Sequence, residues 1–583
     1  MNPEMSKLDL TLPDMQTSAG MATGIVETRP REAQLWIASL PLADSTTASQ
    51  QLYQSLFALN RMALDAKTRL ELMELYCQPV AAVTHSLQTH FNHISLPLTP
   101  KKRRLAVFLR QLQMEMAYGY KFVVRDMLDS RSLWSKKPPL TLAIARAIRY
   151  LGEVLLRSYH VYMPYPPGAW REIHALYKYA EDNGFHNEPV VGSRENTEEK
   201  ASINRTYLQA VLLGLCGPYQ LPPGECLQVN EFLAAWAEKA TLSNDVDIDN
   251  AMGRFLLDLT ADLPAMLFPR DVKLKPLPYL RVLSTIELAR IVHEDINRLQ
   301  KGSAPLSLRM GTECIDSVCL DMLRRMIRFW GLAARRQFSR HTKHTRFLSI
   351  CAGVNALHFF SDGQRPFSPP EENPPTAHEN KDGRFPMKAA LSTASASADE
   401  EMIDLDALIA EPEPTYLADI SATSTHEVFR VSKWKVRDES ASGLSLARDA
   451  ESLTHVRVGD LLGILNEETN QWRAGVARWL KSEDSTHVEM GVEMLAPSVK
   501  PVAIRTISEG AAIHDRCVPA LILPAVPALH QPATLLVAPS LCQAGRDIYL
   551  INSDEKPQRV RVMRVLERSG AFEQILFVGV ARQ

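Results

Sequence analysis

The chain has 583 residues, of which 45% are hydrophobic and 23% are charged, and its formal net charge is −2. This length predicts roughly two to four domains, and the near-neutral charge excludes the global basic field typical of proteins that bind nucleic acids. Any anion-binding site is therefore expected to be local.

The chain carries no signal for membrane insertion or secretion. It has no run of about 18 apolar residues, so no transmembrane helix is predicted. The N-terminus lacks a basic stretch followed by an apolar stretch, which argues against a secretory signal. The eight cysteines form no CxxC pair, a pattern that favours reduced thiols in the cytosol. These features predict a cytoplasmic protein.

The N-terminal half is predicted to be helical. Residues 1–33 are polar and lack a sustained period, so we expect a disordered leader. Residues 34–330 show apolar residues at helical spacing in successive segments, which predicts an all-α array of antiparallel helices. Asp65 stands before one of these segments and is a predicted N-cap.

Two further local signals lie inside the helical region. Ser284 and Glu287 form the spacing of a capping box before an apolar helix. The short apolar stretches 254–268 and 278–283 are predicted to be strands inserted among the helices.

Residues 331–360 and 361–424 interrupt the helical pattern. The first range contains a basic run and then a strand-like stretch from Thr345 to Phe360, which predicts the first strand of a barrel. The second is rich in Pro, Ala, Ser and acidic residues and is poor in large aromatics. We expect it to be a disordered insertion or linker, because it cannot bury enough apolar area to offset its ordering entropy.

After residue 425 the hydrophobic period changes to two residues. Short apolar runs between turn residues predict a β-barrel over 425–500. Residues 501–583 contain enough strand for a second small barrel or for an extension of the first. The fold class is therefore predicted as α+β and multidomain, with an N-terminal helical array followed by C-terminal barrel domains.

The sequence Asp438-Glu-Ser440-Ala-Ser-Gly443 joins two of the predicted strands. A carboxylate accepts hydrogen bonds from a guanine edge, a serine hydroxyl bonds a phosphate or its own turn backbone, and glycine permits close approach. The same three residue types are favoured in an ordinary hairpin turn, and this alternative remains open for the motif taken by itself.

A second motif, Arg336-Gln-Phe-Ser-Arg340, lies in a basic run behind a predicted helix. Two guanidinium groups suit a phosphate, because each makes parallel charge-assisted hydrogen bonds and also stacks on a base. The alternative is a solvated basic helix end, where cations oppose the negative end of the helix dipole.

Together the two motifs resemble the PilZ domain family, whose signature is RxxxR before the first strand and D/NxSxxG in the barrel. The later segments around Gly459, Trp472 and Gly491 are similar to the subsequent PilZ strands. The resemblance implies a PilZ-like β-barrel and five residues that bind cyclic-di-GMP. Arg336 and Arg340 are implied to contact phosphate and guanine, Asp438 the guanine edge, Ser440 a polar group and Gly443 the closely approaching ligand.

The spacing of the motifs departs from an ordinary PilZ domain. Arg340 and Asp438 are 98 positions apart, and the predicted insertion accounts for most of the excess. Such an insertion is tolerable because the entropy of loop closure grows only logarithmically with length. Arg335 or Arg346 is an alternative to Arg336, and Arg478 is a weaker candidate from a strand facing the ligand.

The resemblance implies a cyclic-di-GMP-binding effector that couples this second messenger to an unidentified protein partner through the helical domain. A looser likeness to large proteobacterial PilZ proteins implies a role in type IV pilus assembly or surface motility. We expect no enzyme activity, no cofactor, no metal and no nucleic-acid polymer. The alternative is a ligand-independent scaffold with a degenerate PilZ barrel.

Overall fold

The computed structural model describes most of the chain and forms eleven helices within the described residues. These residues are 8–15, 26–129, 137–190, 201–248, 250–269, 274–305, 316–331, 341–342, 346–369, 429–440, 442–449, 455–483, 487–506, 517–527, 531–552 and 556–580. The helices are α1 (Pro30–Ala38), α2 (Ser45–Leu59), α3 (Ala66–Gln88), α4 (Pro100–Asp129), α5 (Lys137–His160), α6 (Ala169–Asp182), α7 (Ile203–Leu215), α8 (Glu225–Trp236), α9 (Ile286–Gln300), α10 (Asp316–Gly331) and α11 (Val354–Ser361).

The strands are concentrated in the C-terminal half. They are β1 (Thr241–Ser243), β2 (Arg254–Asp258), β3 (Met266–Leu267), β4 (Leu280–Ser284), β5 (His341–Thr342), β6 (Phe347–Ala352), β7 (Ser432–Ser440), β8 (Gly443–Asp449), β9 (Leu461–Asn466), β10 (Gln471–Ser482), β11 (His487–Ala496), β12 (Lys500–Thr506), β13 (Cys517–Leu523), β14 (Thr534–Val537), β15 (Asp547–Ile551), β16 (Gln558–Arg568) and β17 (Glu573–Gly579). An α+β fold with a helical array followed by barrels is thereby confirmed.

The chain forms two compact units. The first contains residues 1–346, 435–458 and 477–492, and the second contains residues 347–434, 459–476 and 493–583. One hydrophobic core in the first unit runs through α1 to α10, with Trp170 and Trp330 fully buried in it. Burial of these apolar faces, rather than intrinsic helix propensity, supplies most of the stability of such helices.

The N-terminal caps of α3 and α9 test two predictions made from local sequence. The Asp65 carboxylate accepts hydrogen bonds from the backbone N–H groups of Lys67 and Thr68, so the predicted N-cap of α3 is confirmed. The predicted capping box of α9 is wrong, because the N-cap is Thr285 and no side chain caps that helix. The Thr285 hydroxyl instead donates to the carbonyls of Gly253 and Trp330, and this tertiary contact takes precedence over the local motif.

A small sheet lies among the helices of the first unit, in the strand order β1-β4-β2-β3. Strands β2 and β4 fall within the two apolar stretches that predicted strands here. On one face Phe255 and Leu283 join the main core, and on the other Val282 belongs to a smaller cluster.

Part of the predicted leader is structured. The backbone N–H of Thr11 donates to Glu172 Oε1 at 2.9 Å, and Leu8 and Leu10 pack against the helical core. Helix α1 begins at Pro30. The prediction of disorder is therefore wrong for residues 8–15 and 30–33.

The predicted strand from Thr345 to Phe360 is shorter than expected. Strand β6 ends at Ala352, and Gly353, with φ 95°, leads directly into α11. In the second unit Leu357 of this helix packs with Leu461 and Leu521 in one core. This packing makes helix the better conformation for a stretch whose alternating pattern favoured a strand.

Two barrels follow. Strands β7, β6, β9, β10, β11 and β8 are hydrogen-bonded in that order, and the additional β7–β8 pairing closes the ring. Strands β12-β13-β14-β17-β16-β15 form a second closed barrel. Residues 501–583 therefore contain their own barrel, which decides between the two possibilities left open by the sequence.

Three further observations bear on the sequence predictions. Six cysteines are free among the described residues, whereas Cys319 is disulfide-bonded, so the prediction of reduced thiols is wrong at Cys319. No helix in the described part of the chain is long and apolar enough to span a bilayer. The described residues contain no cluster of three or more His, Cys, Asp or Glu side chains suited to a metal ion.

His160 at the end of α5 predicts acid sensitivity of the helical domain. The side chain is 2% exposed and lies edge-on to Phe91, and burial followed by the charge of Arg157 lowers its pKa to about 3. Because this pKa lies below the unfolded value of about 6.5, stability is lost as the pH falls from 6.5 towards 3. At pH 5 we expect a loss of about 2 kcal/mol that His160→Leu removes.

Urea unfolding of the wild type and of His160→Leu between pH 8 and pH 5 measures this effect. The difference in unfolding free energy between the two proteins is expected to shift in favour of the variant as the pH falls. A constant difference across this range would show that His160 does not carry the acid sensitivity.

Candidate functional site

The Asp438 carboxylate belongs to a strand that contains a β-bulge. Strand β7 pairs with β8 so that Val436 lies opposite Leu446, and both side chains are fully buried. The next pair is Asp438 with Ser445, and the register shift between the two pairs places Arg437 as an extra residue. A bulge re-aims the side chains that follow it. Asp438 and Ser445 consequently lie on the same face of the sheet, where Ser445 is buried and Asp438 is partly exposed.

The turn between β7 and β8 brings the other two motif residues together. Ser440 pairs with Gly443, and the Ser440 hydroxyl donates to the Gly443 carbonyl at 3.2 Å. A Cβ atom at Gly443 would lie 2.7 Å from the backbone oxygen of Val492 in β11. Glycine therefore allows the backbone of β8 to lie close to the neighbouring strand β11. The absence of a side chain at Gly443 keeps these two strands in register.

The two arginines of the RxxxR motif, with Arg335, lie outside the described residues. The chain immediately after them is described. Strand β5 pairs with β7 so that His341 lies opposite Glu439 and Thr342 lies opposite Asp438. Because Arg340 is covalently joined to His341, the second motif lies beside the point at which the basic segment enters the barrel.

The weaker arginine candidates have different surroundings. Arg346 Nη1 lies 3.9 Å from Glu439 Oε2, and the Arg346 carbonyl accepts a hydrogen bond from the backbone N–H of Val436 at 2.9 Å. This residue is therefore engaged with β7 at the edge of the motif. Arg478 is a partly buried residue of β10, the strand next to β11.

The same barrel carries further residues that are not part of the two short motifs. The indole of Trp479 lies directly against the backbone of Gly491, where an added Cβ would meet Trp479 Nε1. Arg437 Nη2 and His487 Nε2 lie 3.7 Å and 3.5 Å from Glu489 Oε1. The sequence signal for the first contact is a large aromatic, Trp479, on one predicted strand and a glycine, Gly491, on the next.

Loops of the first barrel are hydrogen-bonded to the helical domain within the first unit. Leu96 and Val456 exchange two backbone hydrogen bonds of 2.9 Å. The backbone N–H of Ser482, at the end of β10, donates to the Tyr162 carbonyl at 2.9 Å. Arg103 Nη2 donates to the Glu483 carbonyl at 3.2 Å. Strand β10 thus runs from the candidate site to the loops of the helical domain.

A closed six-stranded barrel whose β7–β8 hairpin carries the DxSxxG motif fits the PilZ domain that the two motifs resemble. Comparison with family models agrees with this class and specifies it further. The models match in succession as the cyclic-di-GMP receptor FimW N-terminal domain over residues 31–247, its middle PilZ domain over 255–501, and the FimW C-terminal β-barrel domain over 502–580. Residues 255–501 therefore match a PilZ domain, and the resemblance inferred from the two motifs is confirmed.

A curated relative supports the same assignment over nearly the whole length. The chain is 27% identical over 577 residues to the cyclic-di-GMP receptor FimW of Pseudomonas aeruginosa, and the match covers 94% of this chain and 90% of the relative. No solved structure matches the chain.

Proposed function

We propose that this protein is a cyclic-di-GMP-binding effector whose ligand lies on the outer barrel face formed by β7 and β8. The observation that carries the proposal is the β5–β7 ladder, in which the residue after Arg340 is paired beside Asp438. This pairing supports a site that includes both motifs, because the basic motif ends one residue before His341. The receptor name of the relative supports the same ligand.

The proposed site combines contacts from arginines with contacts from acidic and polar side chains. Arg336 and Arg340 contact phosphate and guanine through charge-assisted hydrogen bonds, with Arg335 or Arg346 as the alternative to Arg336. Asp438 accepts from the guanine edge, and Ser440 supplies a polar contact.

Gly443 is the proposed position of close approach to the ligand, and Arg478 is a weaker proposed contact from β10. No cofactor or metal takes part in the proposed activity. The ligand's two phosphates neutralise the like charges of the basic segment between Arg335 and Arg346, which orders that segment across the barrel face.

The output of the proposed effector is a protein contact made by the helical domain, in pilus assembly or surface motility. We assign residues 34–330 to this helical domain, 331–360 and 425–500 to the PilZ domain, 361–424 to an insertion, and 501–583 to the second barrel. The proposed location is the cytoplasm, and we propose no enzyme activity.

One observation favours a second candidate, a scaffold that binds no ligand. The Ser440 hydroxyl already bonds within the turn, and Gly443 is already required by the Val492 carbonyl. Both residues therefore have a structural role without cyclic-di-GMP, as in an ordinary hairpin.

Isothermal titration calorimetry with cyclic-di-GMP separates the two candidates. We expect the wild type to bind, and Asp438→Ala to bind about 10–100-fold more weakly, because a hydrogen bond to a charged group contributes about 1.5–3 kcal/mol. The paired variant Arg336→Ala/Arg340→Ala is expected to lose more. Arg290→Ala, in an exposed ion-paired cluster on α9, is the matched control and should keep wild-type affinity.

The outcomes are distinguishable. Absence of binding heat for the wild type would support the scaffold. Equal affinity in the wild type and both site variants would retain ligand binding but refute the assigned residues.

A further inference from the structure

The second barrel carries an exposed apolar strip on strands β16 and β17. Two register shifts in β16, between Val562 and Arg564 and between Val565 and Glu567, leave Met563 and Leu566 as extra residues. Met563 is 50% exposed, Leu566 is 40% exposed, and Val578 on β17 is 46% exposed. Two successive bulges therefore present apolar side chains to solvent along one strand pair.

The strip is bordered by positive charge. Arg559 and Arg561 both pair with the single carboxylate of Asp547, at 2.6 Å and 2.7 Å, and still expose 53% and 51% of their side chains. Arg564 is exposed directly beside Met563. One carboxylate thus faces two guanidinium groups, and a third lies next to the apolar residues. We call this set the β16–β17 surface, defined by Arg559, Arg561, Met563, Arg564, Leu566 and Val578.

The barrel topology restricts how a partner engages this surface. The six strands form a closed ring, so β16 is hydrogen-bonded on both sides by β15 and β17. A closed barrel offers no free edge for an added strand. The occupant must therefore meet side chains, with apolar groups for the strip and carboxylates for the arginines.

One segment of this chain has that composition. Residues 399–413, with the sequence DEEMIDLDALIAEPE, contain seven acidic residues and no Lys or Arg. Within this segment Met402, Leu405, Leu408 and Ile409 recur at intervals of three and four residues between the carboxylates. The segment thus offers apolar groups to the strip and carboxylates to the arginines of the β16–β17 surface.

The position of the segment in the chain also suits this contact. The described residues resume at Phe429, which belongs to the same compact unit as the second barrel. The residues between Ile409 and Phe429 reach roughly 60 Å when extended, at about 3.3 Å per residue. The tether therefore spans any distance within a small domain, and both partners are held at a high effective concentration.

We propose that the acidic segment 399–413 of this chain binds the β16–β17 surface in the same molecule. The contact lies outside the proposed cyclic-di-GMP site, so it does not depend on the proposed function. It gives the long insertion a binding site of its own on the second barrel.

Methionine oxidation in the full-length protein, without ligand, tests the contact. Met563 is the reporter, and Met252 is the internal reference because it is 53% exposed in the first unit. Peptide mass spectrometry after dilute peroxide gives the ratio of the two oxidation rates. We expect this ratio to rise about threefold or more in the variant Leu405→Ser/Leu408→Ser/Ile409→Ser, because oxidation follows exposure.

A charge exchange makes the test specific. Arg564→Glu is expected to raise the ratio like the serine variant, and Arg564→Glu combined with Asp404→Arg and Asp406→Arg is expected to restore it. An unchanged ratio in the serine variant would refute the proposal. So would protection of Met563 that grows with protein concentration, because a second copy would then be the occupant.

Discussion

Gly443→Val is expected to weaken cyclic-di-GMP binding by about tenfold or more and to lower the unfolding free energy by about 1–3 kcal/mol. A Cβ at this position would lie 2.7 Å from the Val492 carbonyl, a backbone atom that moves only if strands β8 and β11 separate. Separation displaces the Ser440–Gly443 turn and the carboxylate of Asp438 two pairs away. The substitution therefore alters the geometry of the proposed site without removing a charged group.

Gly579→Ala is the matched control, because an added Cβ there meets no atom within 4 Å. We expect it to leave both affinity and stability near the wild-type values. Calorimetry and urea unfolding on the same preparations measure the two effects. A Gly443→Val protein that is destabilised but binds with full affinity would exclude the β8–β11 register from the proposed site.

The sequence predicted the barrel and its hairpin motif because both depend on short-range information. Alternating apolar residues define a strand, and Asp438, Ser440 and Gly443 define a turn within six positions. The bulge at Arg437 was not predicted, since a register shift depends on which residues lie opposite in the partner strand. This bulge decides that Asp438 lies opposite Ser445 in the partner strand.

Other features could not be predicted because distant residues decide them. Helix α11 forms where a strand was expected, since Leu357 is buried against residues more than a hundred positions later. The structured part of the leader depends on Glu172, which hydrogen-bonds both Thr11 and Lys121. The contact between Trp479 and Gly491 depends on how β10 and β11 pair. Each of these requires the tertiary neighbours of a residue, which a single sequence does not supply.

The helical domain contains a buried ion pair that single substitutions should disrupt strongly. Arg146 Nε lies 3.0 Å from Glu74 Oε1 in the core between α3 and α5, and the Tyr120 hydroxyl donates to the same carboxylate at 2.6 Å. Burial opposes the charge of Arg146, but the hydrogen bond and negative charge of Glu74 hold its pKa above the ordinary value. The charge of Arg146 in the core is thus supported by Glu74.

We expect Arg146→Met to lower the unfolding free energy by about 3–5 kcal/mol, because it leaves the Glu74 carboxylate buried without its cation. The double variant Arg146→Met/Glu74→Leu should cost less than the single variant, since no isolated charge remains. The isolated carboxylate in Arg146→Met should take up a proton on folding, so this variant should recover stability relative to the wild type as the pH falls from 8 to 5. Urea unfolding of the three proteins at both pH values measures these differences, and a double variant less stable than Arg146→Met would show that packing, rather than the unpaired charge, sets the cost.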